Sequence, residues 1–112
     1  MLDNLKNLAN LPALMAKARE MQERMKGMQE KLATMQSSAD VGGGMVTAIV
    51  NGRMELIKVR IDREKLDVND TQMLEDLIVA AVNAAQVKAA LLAKTEMEKI
   101  ASEVGLPPGM MP

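Results

Sequence analysis

Between Leu11 and Met35 the apolar residues fall at 11, 14, 18, 21, 25, 28, 32 and 35. The steps alternate between three and four, which is the seam of an α-helix and excludes a strand, whose side chains repeat every two residues. Asn10 is placed to cap this helix and Pro12 to sit in its first turn, where a missing N–H costs nothing. A helix over 12–35 is about 36 Å long, longer than a small domain needs to cover a sheet, so part of it projects. Its seam is rich in methionine, at Met21, Met25, Met28 and Met35, with Leu32 filling the remaining step. Such a stripe is the inner side of an arm packed within a dimer or on the chain's own sheet, or else a docking surface for a partner.

The next segment changes period. Val41, Gly42, Gly43 and Gly44 lead into "MVTAIV", the pair Asn51-Gly52 and "RMELIKVRI". β-Branched runs on either side of Asn-Gly predict a hairpin with a two-residue type I′ loop, setting Val50 opposite Arg53, Ala48 opposite Glu55 and Val46 opposite Ile57. Ile57, Val59 and Ile61 share one face, and Met45, Ile49, Met54 and Leu56 share the other. Apolar groups on both faces call for helices on one side and part of a partner chain on the other. Residues 36–41 supply a third short strand. After the polar turn "DREKLDVND" a second long helix starts near Asp70, with Asn69 and Gln72 at capping-box spacing, and ends near Gly105. Met73, Leu74, Leu77, Ile78, Ala81, Ala85, Leu91 and Leu92 give it a broad apolar face. Helix, strands, helix on one core is an α+β two-layer unit.

The length of 112 residues fits a single domain over 1–112, with 1–10 and the Pro-rich tail 106–112 expected to be flexible. Phe, Tyr, Trp, Cys and His are all absent. The core must therefore be built from aliphatic side chains and methionine, and a second copy of the chain is one way to enlarge it. No disulfide or thiolate site is possible, and the commonest general base and transition-metal ligand is missing, which argues against an enzyme. The N-terminal residues do not read as a signal peptide, and no uninterrupted apolar run reaches the roughly 20 residues of a membrane span, so a cytoplasmic protein without a membrane partner is expected.

Three candidate sites have simpler readings. Gly42 to Gly44 lead into a strand rather than a helix and lack a phosphate-loop signature, so they mark a bend. Asp62, Glu64, Asp67 and Asp70 offer oxygen ligands for calcium or magnesium, but the EF-hand glycine and terminal glutamate are missing and such residues commonly shape turns and caps; no metal, cofactor or small-molecule substrate is expected. The adjacent Glu75 and Asp76 diverge on a helix and suit its dipole better than a catalytic pair.

Charge is more informative. With Leu11, Ala18, Met25 and Leu32 at heptad position a, Lys17, Arg24 and Lys31 all fall at g in one row beside the seam, while Arg19 and Lys26 fall at b. Segments 12–35 and 53–65 each carry five basic and three acidic residues, whereas 67–76 carries four acids and no base. The net charge of -1 thus hides local positive surface. The bland alternative is a solvated flank, with Glu20 and Arg24 paired at i, i+4. Without aromatics to stack bases, a nucleic-acid ligand would be duplex DNA, held mainly by its phosphates, with Gln22 and Gln29 within reach of base edges.

Several stretches together make the chain resemble the YbaB/EbfC family of bacterial nucleoid-associated DNA-binding proteins. They are "AREMQERMKGMQEKL", Gly42-Gly43-Gly44-Met45-Val46, Asn51-Gly52, "VRID" ending at Asp62, "MLEDLIVAAVNAA" from Met73, and "GLPPGM". Arg63, where the family pattern has proline, and the lack of aromatics are departures. The resemblance implies a homodimer whose long helices project and grip double-stranded DNA, a location in the nucleoid, and roles in nucleoid organisation and gene regulation, without catalysis. It also implies that both terminal helices take part. Charge and helical position then select Lys17, Arg19, Arg24, Lys26 and Lys31, followed by Lys88, Lys94 and Lys99. The competing reading is a Met-rich protein-interaction module or holdase that does not bind DNA.

Overall fold

The computed structural model describes residues 2–103 and Gly105, with side chains from Ala9 onward; the Pro-rich tail lies outside the described residues. The chain runs α1 (Leu2–Thr34), β1 (Gln36–Val41), β2 (Val46–Asn51), β3 (Leu56–Ile61) and α2 (Thr71–Glu103). The three strands form one antiparallel sheet in the order β1-β2-β3, and α2 packs across β1 and β2, so the architecture is α+β. Alternation puts Ala39, Val46, Ala48 and Val50 beneath Ala81, Ala85 and Ala89 of α2, and Leu66 of the following loop closes the same core. These alanines recur every four residues along one helical face. They bring the α2 backbone close to the sheet, which is how a core without aromatics fills its volume.

α1 differs from expectation at its start. It begins at Leu2, and Pro12 lies inside it rather than in its first turn. Proline removes the N–H that would bond the Leu8 carbonyl, yet its fixed φ is compatible with a helix, and the good helix formers on either side carry the turn through the gap. The helix thus includes residues 2–10, ahead of the expected start.

The hairpin register also differs. Val46 pairs with Ile61, Ala48 with Val59 and Ile49 with Lys58, and then Val50 with Leu56, leaving Ile57 as a bulge. The loop holds three residues, Gly52, Arg53 and Met54, because the Asn51 N–H bonds the Glu55 carbonyl at 2.9 Å and Met54, not Gly52, takes the positive φ of 68°. Asn51 explains the change. Its buried Oδ1 accepts from the Arg53 and Glu55 amides at 3.0 Å each, while Nδ2 donates to Glu55 Oε1 at 3.0 Å and to the Ala33 carbonyl at 3.4 Å. Gly52 is needed for close approach instead. Its N–H reaches the Leu32 and Met35 carbonyls at 2.9 Å, and a Cβ there would lie 2.7 to 2.9 Å from Leu32 atoms.

The methionine seam of α1 meets α2 rather than the sheet. Met28, Leu32 and Ile100 form a second core, with Met21, Met25, Met35, Leu92, Ala93 and Met97 packed around it. Ion pairs fix the sense of the pairing: Arg24 meets Glu103, and Lys31, seven residues on, meets Glu96, seven residues back, so the helices are antiparallel. Glu96 accepts from Lys31 at 3.1 Å and from Lys99 at 3.2 Å, one ammonium on each carboxylate oxygen, and these bonds hold its carboxyl below the usual glutamate range. α2 is capped by Asp70 rather than Asn69, through its carboxylate on the Met73 amide at 3.2 Å. By length and composition α2 also meets the criterion for a membrane-crossing helix, with a window averaging 1.5 in hydropathy. The apolar run is nonetheless broken, because Asp76, Asn83, Gln86 and Lys88 interrupt it, while the many alanines and valines raise the mean.

Three stability outcomes follow. Gly52→Ala forces Leu32 and a backbone carbonyl aside and should lower the unfolding free energy by about 1 to 3 kcal/mol in urea titrations. Met54→Gly, which relieves a left-handed non-glycine residue, should be neutral or stabilising by up to about 1 kcal/mol, where a two-residue loop would predict no benefit. The Glu96 contribution is present above the ordinary glutamate pKa of about 4.3 and is lost as pH falls through its lowered folded value. Urea midpoints followed from neutral pH downward should therefore fall more steeply in acid for the wild type than for Glu96→Gln.

Candidate nucleic-acid interface

The projecting part of α1 is set by where α2 stops. Arg24 already faces Glu103, in the last turn of α2, so the helix before it extends past the pair, and residues 9–20 are all exposed. Lys17 and Arg19 stand on this overhang, and neither makes an ion pair among the described residues. Lys26, on the same flank as Arg19, is likewise exposed and without an ion pair there. Gln22 and Gln29 are exposed beside that flank. A cation on an overhanging helix keeps its hydration and its freedom of rotamer, and it can approach a rod-shaped polyanion without collision with the sheet.

The rest of the row beside the seam is occupied. Arg24 bonds Glu20 at 3.2 Å as well as Glu103, and Lys31 shares Glu96 with Lys99. These three cations border the helix pair, and the carboxylates beside them reduce the positive field they present. Exposed ion pairs are weak and screened by salt, so a polyanion can exchange with a carboxylate at such a place, but only at the cost of the helix-to-helix contact. Lys94 is exposed farther along α2 without an ion pair among the described residues. Lys88 lies apart from all of these and donates to the Ser38 carbonyl of β1 at 2.9 Å, covering a backbone acceptor on that edge strand.

The eight selected cations are thus not one patch. Lys17, Arg19 and Lys26 share the first helix; Arg24, Lys31 and Lys99 join it to the second; Lys94 and Lys88 follow toward the sheet. Glu96 is a residue that the sequence does not single out. Its i, i+3 spacing to Lys99 is legible there, but the contact with Lys31, 65 residues away in the chain, is not. Segment 53–65 supplies a second basic region: Lys58 and Arg60 are exposed on β3 without ion pairs among the described residues, while Arg53 lies 3.9 Å from Glu55 and Lys65 donates to the Gly43 carbonyl at 3.2 Å.

The other candidates resolve into local structure. Gly42, Gly43 and Gly44 turn β1 into β2 with φ of 62°, 66° and 90°. Asp62 accepts from the Glu64 amide, Asp67 from that of Asn69 and Asp70 from that of Met73, so these carboxylates shape turns and a cap. The hollow at the tip of α1, lined by Leu11, Pro12, Met15, Ala16 and Arg19, contains a single charged group and no acid–base pair.

Comparison with known proteins agrees with this architecture. A crystal structure of an uncharacterized protein from Helicobacter pylori, 22% identical, superposes with a TM-score of 0.68 over 82% of this chain and 94% of that one, and shares its fold. A nucleoid-associated protein of Granulibacter bethesdensis is 44% identical over 103 residues, 92% of this chain and 96% of the relative. A nucleoid-associated protein of Syntrophobacter fumaroxidans is 45% identical over 93 residues, 83% of this chain and 84% of the relative. The model of a family of DNA-binding proteins, not of enzymes, matches residues 6–104. With nearly the whole of its folded length inside that match, the chain belongs to the YbaB/EbfC DNA-binding family.

Proposed function

We propose that the protein is a homodimer that binds double-stranded DNA in the bacterial nucleoid, largely through phosphate contacts, and changes the path of the duplex it holds, with consequences for nucleoid organisation and gene regulation. The observation that carries this reading is the overhang of α1, where Lys17 and Arg19 are exposed and make no ion pair among the described residues, at the far end of an elongated molecule measuring 74 × 21 × 18 Å. The relatives' names supply the nucleoid, within the bacterial cytoplasm.

Lys17, Arg19 and Lys26 are the leading contacts. Arg24, Lys31 and Lys99 orient the arm and add charge beside it, and Lys94 and Lys88 extend the basic track along α2. Binding of this kind releases counterions and reads little sequence, since lysine and arginine on the outside of a helix meet the backbone first. The competing reading, a methionine-lined groove for apolar peptides, has less support. Met21, Met25, Met28, Met35 and Met97, which would line such a groove, pack between the chain's own two helices.

Titration of a labelled duplex of arbitrary sequence at several salt concentrations tests the proposal. Affinity should fall steeply with salt, and Lys17, Arg19 and Lys26 replaced together by Glu should weaken binding at low salt at least about tenfold, with the slope reduced by about 0.9 for each phosphate no longer neutralised. Gln at Arg24 and Lys31 should cost less. Unchanged affinity in the triple variant would move the interface elsewhere, and no binding by the wild type at low salt would end the DNA reading.

A further inference from the structure

Methionine is unevenly placed in this fold. Met28 is buried in the joint between α1 and α2, and Met21, Met25, Met35 and Met97 pack around it, half-buried, beside Leu32 and Ile100. The core beneath the sheet is built instead of alanine, valine and leucine, with Met45 only at its margin. Leucine would fill the joint about as well, since exchange of methionine for leucine nearly conserves volume and usually costs little. What leucine lacks is a thioether, which oxidants convert to a polar sulfoxide.

The joint is open to a small oxidant and poorly suited to the product. α1 is bonded to the hairpin at its last turn, through the Leu32 and Ala33 carbonyls, and the seam sulfurs ahead of that turn at Met21 and Met25, like that of Met97 on α2, are half-buried rather than enclosed. Met25 and Met28 on α1, and Met97 and Ile100 on α2, fall between the two ion pairs that Arg24 makes with Glu103 and Lys31 with Glu96. The donors that border the seam are thus already taken: Arg24 by Glu20 and Glu103, and Lys31 and Lys99 by the two oxygens of Glu96. A sulfoxide formed here either stays unpaired, which a buried dipole does only at a cost, or draws a cation from its carboxylate. The joint loses a contact in both cases.

We infer that the methionine seam is an oxidation-controlled joint: a hydroperoxide converts Met21, Met25 and Met97 to sulfoxides, α1 separates from α2, and the arm loses its fixed direction. In this step the sulfur lone pair attacks one peroxide oxygen, the O–O bond breaks and an S–O bond forms. The departing oxygen takes the proton of the transferred one, so hydrogen peroxide leaves as water; sulfur is oxidised by two electrons and the peroxide reduced by two. Because the Gly52 amide still holds the Leu32 and Met35 carbonyls, the motion is a swing about the hairpin tip. Lys17, Arg19 and Lys26 ride on the swinging helix, so the consequence for duplex binding rests on the DNA reading above, whereas the opening itself does not. Met15, Met54 and Met73 are 50%, 43% and 46% exposed. Their sulfoxides form in water and disturb no seam, which makes them an internal control.

The chain contains no cysteine, so methionine is the side chain that mild peroxide attacks first. Folded protein is titrated with hydrogen peroxide, sulfoxides are located by peptide mass spectrometry, and amide hydrogen exchange over residues 21–34 is followed without DNA. Once Met21, Met25 and Met97 are oxidised, those amides should exchange at least about tenfold faster, and methionine sulfoxide reductases should restore the slow rate. Duplex affinity should fall at least about fivefold over the same titration, because a loose arm must be ordered on binding, and should recover with reduction. Leucine at Met21, Met25, Met28 and Met97 together should abolish both responses. Leucine at Met15, Met54 and Met73 should leave them intact, and this second variant decides the matter if the first does not fold. Slow exchange that persists with the seam sulfoxides in place, or seam methionines that stay reduced after Met15, Met54 and Met73 have reacted fully, would overturn the oxidation-controlled joint. Faster exchange without loss of affinity in a chain that binds duplex would overturn its control of the arm. A wild type that opens on oxidation but never binds duplex would uphold the joint and end the DNA reading alone.

Discussion

The contact of Gly52 with the end of α1 is the constraint from which the other long-range relations follow. The Gly52 amide is held by the carbonyls of Leu32 and Met35, and no side chain larger than hydrogen fits beneath Leu32. A helix of this length touching the sheet at one end would otherwise be free to swing. Because its final turn is fixed to the tip of the β2–β3 hairpin, the seam behind it is aimed along α2, and Met28 and Leu32 arrive opposite Ile100. Asn51 makes the joint rigid from the other side. Its four hydrogen bonds shape the loop that carries Gly52 and also reach back to Ala33 in α1.

Once that direction is set, the charges divide by geometry. Those opposite α2 find carboxylates and those beyond its end do not. The same residue type thereby does two jobs on one helix, since Arg24 and Lys31 align the pair while Lys17 and Arg19 stand past it. Glu96 is the pivot of the first group. A nearly buried carboxylate with an ammonium on each oxygen fixes the rotation of α1 about its own axis, which the methionines alone would define loosely, because an unbranched thioether adapts to several packings.

What is visible in the sequence is whatever depends on periodicity. The three-and-four spacing of the first helix, the β-branched runs, the short strand at 36–41 and the small residues of α2 are local signals, and each element is present. The family itself is legible from the order of short motifs. The details that are not legible depend on single side chains or on distant partners. Asn51-Gly52 signals a two-residue turn from local statistics, yet the buried amide of Asn51 spans a longer loop and the glycine is spent on a tertiary approach. Pro12 reads as a helix start unless the turns before it are also helical. The row at Lys17, Arg24 and Lys31 is visible as a row, but not which of its members meet acids, because Glu96 and Glu103 come from the far end of the chain. The destination of the methionine seam stays open in the sequence for the same reason; within the chain it is the second helix rather than the sheet.

The absence of aromatics links these features. A core of alanine, valine and methionine gains its contact from close backbones rather than from large rings, so every helix in it must lie near something along much of its length. α2 satisfies this with alanine toward the sheet and a mixed aliphatic and thioether surface toward α1, and a helix of this length still has a side left over. That remaining side keeps apolar groups in solvent, Met73, Val87 and Leu91 among them. The first half of α1 shows the opposite arrangement around a similar apolar line: Leu11, Leu14 and Met15 are exposed but lie among Lys17, Arg19 and Glu20. Cations interleaved with an apolar line keep that overhang in water, where Lys17 and Arg19 stay exposed.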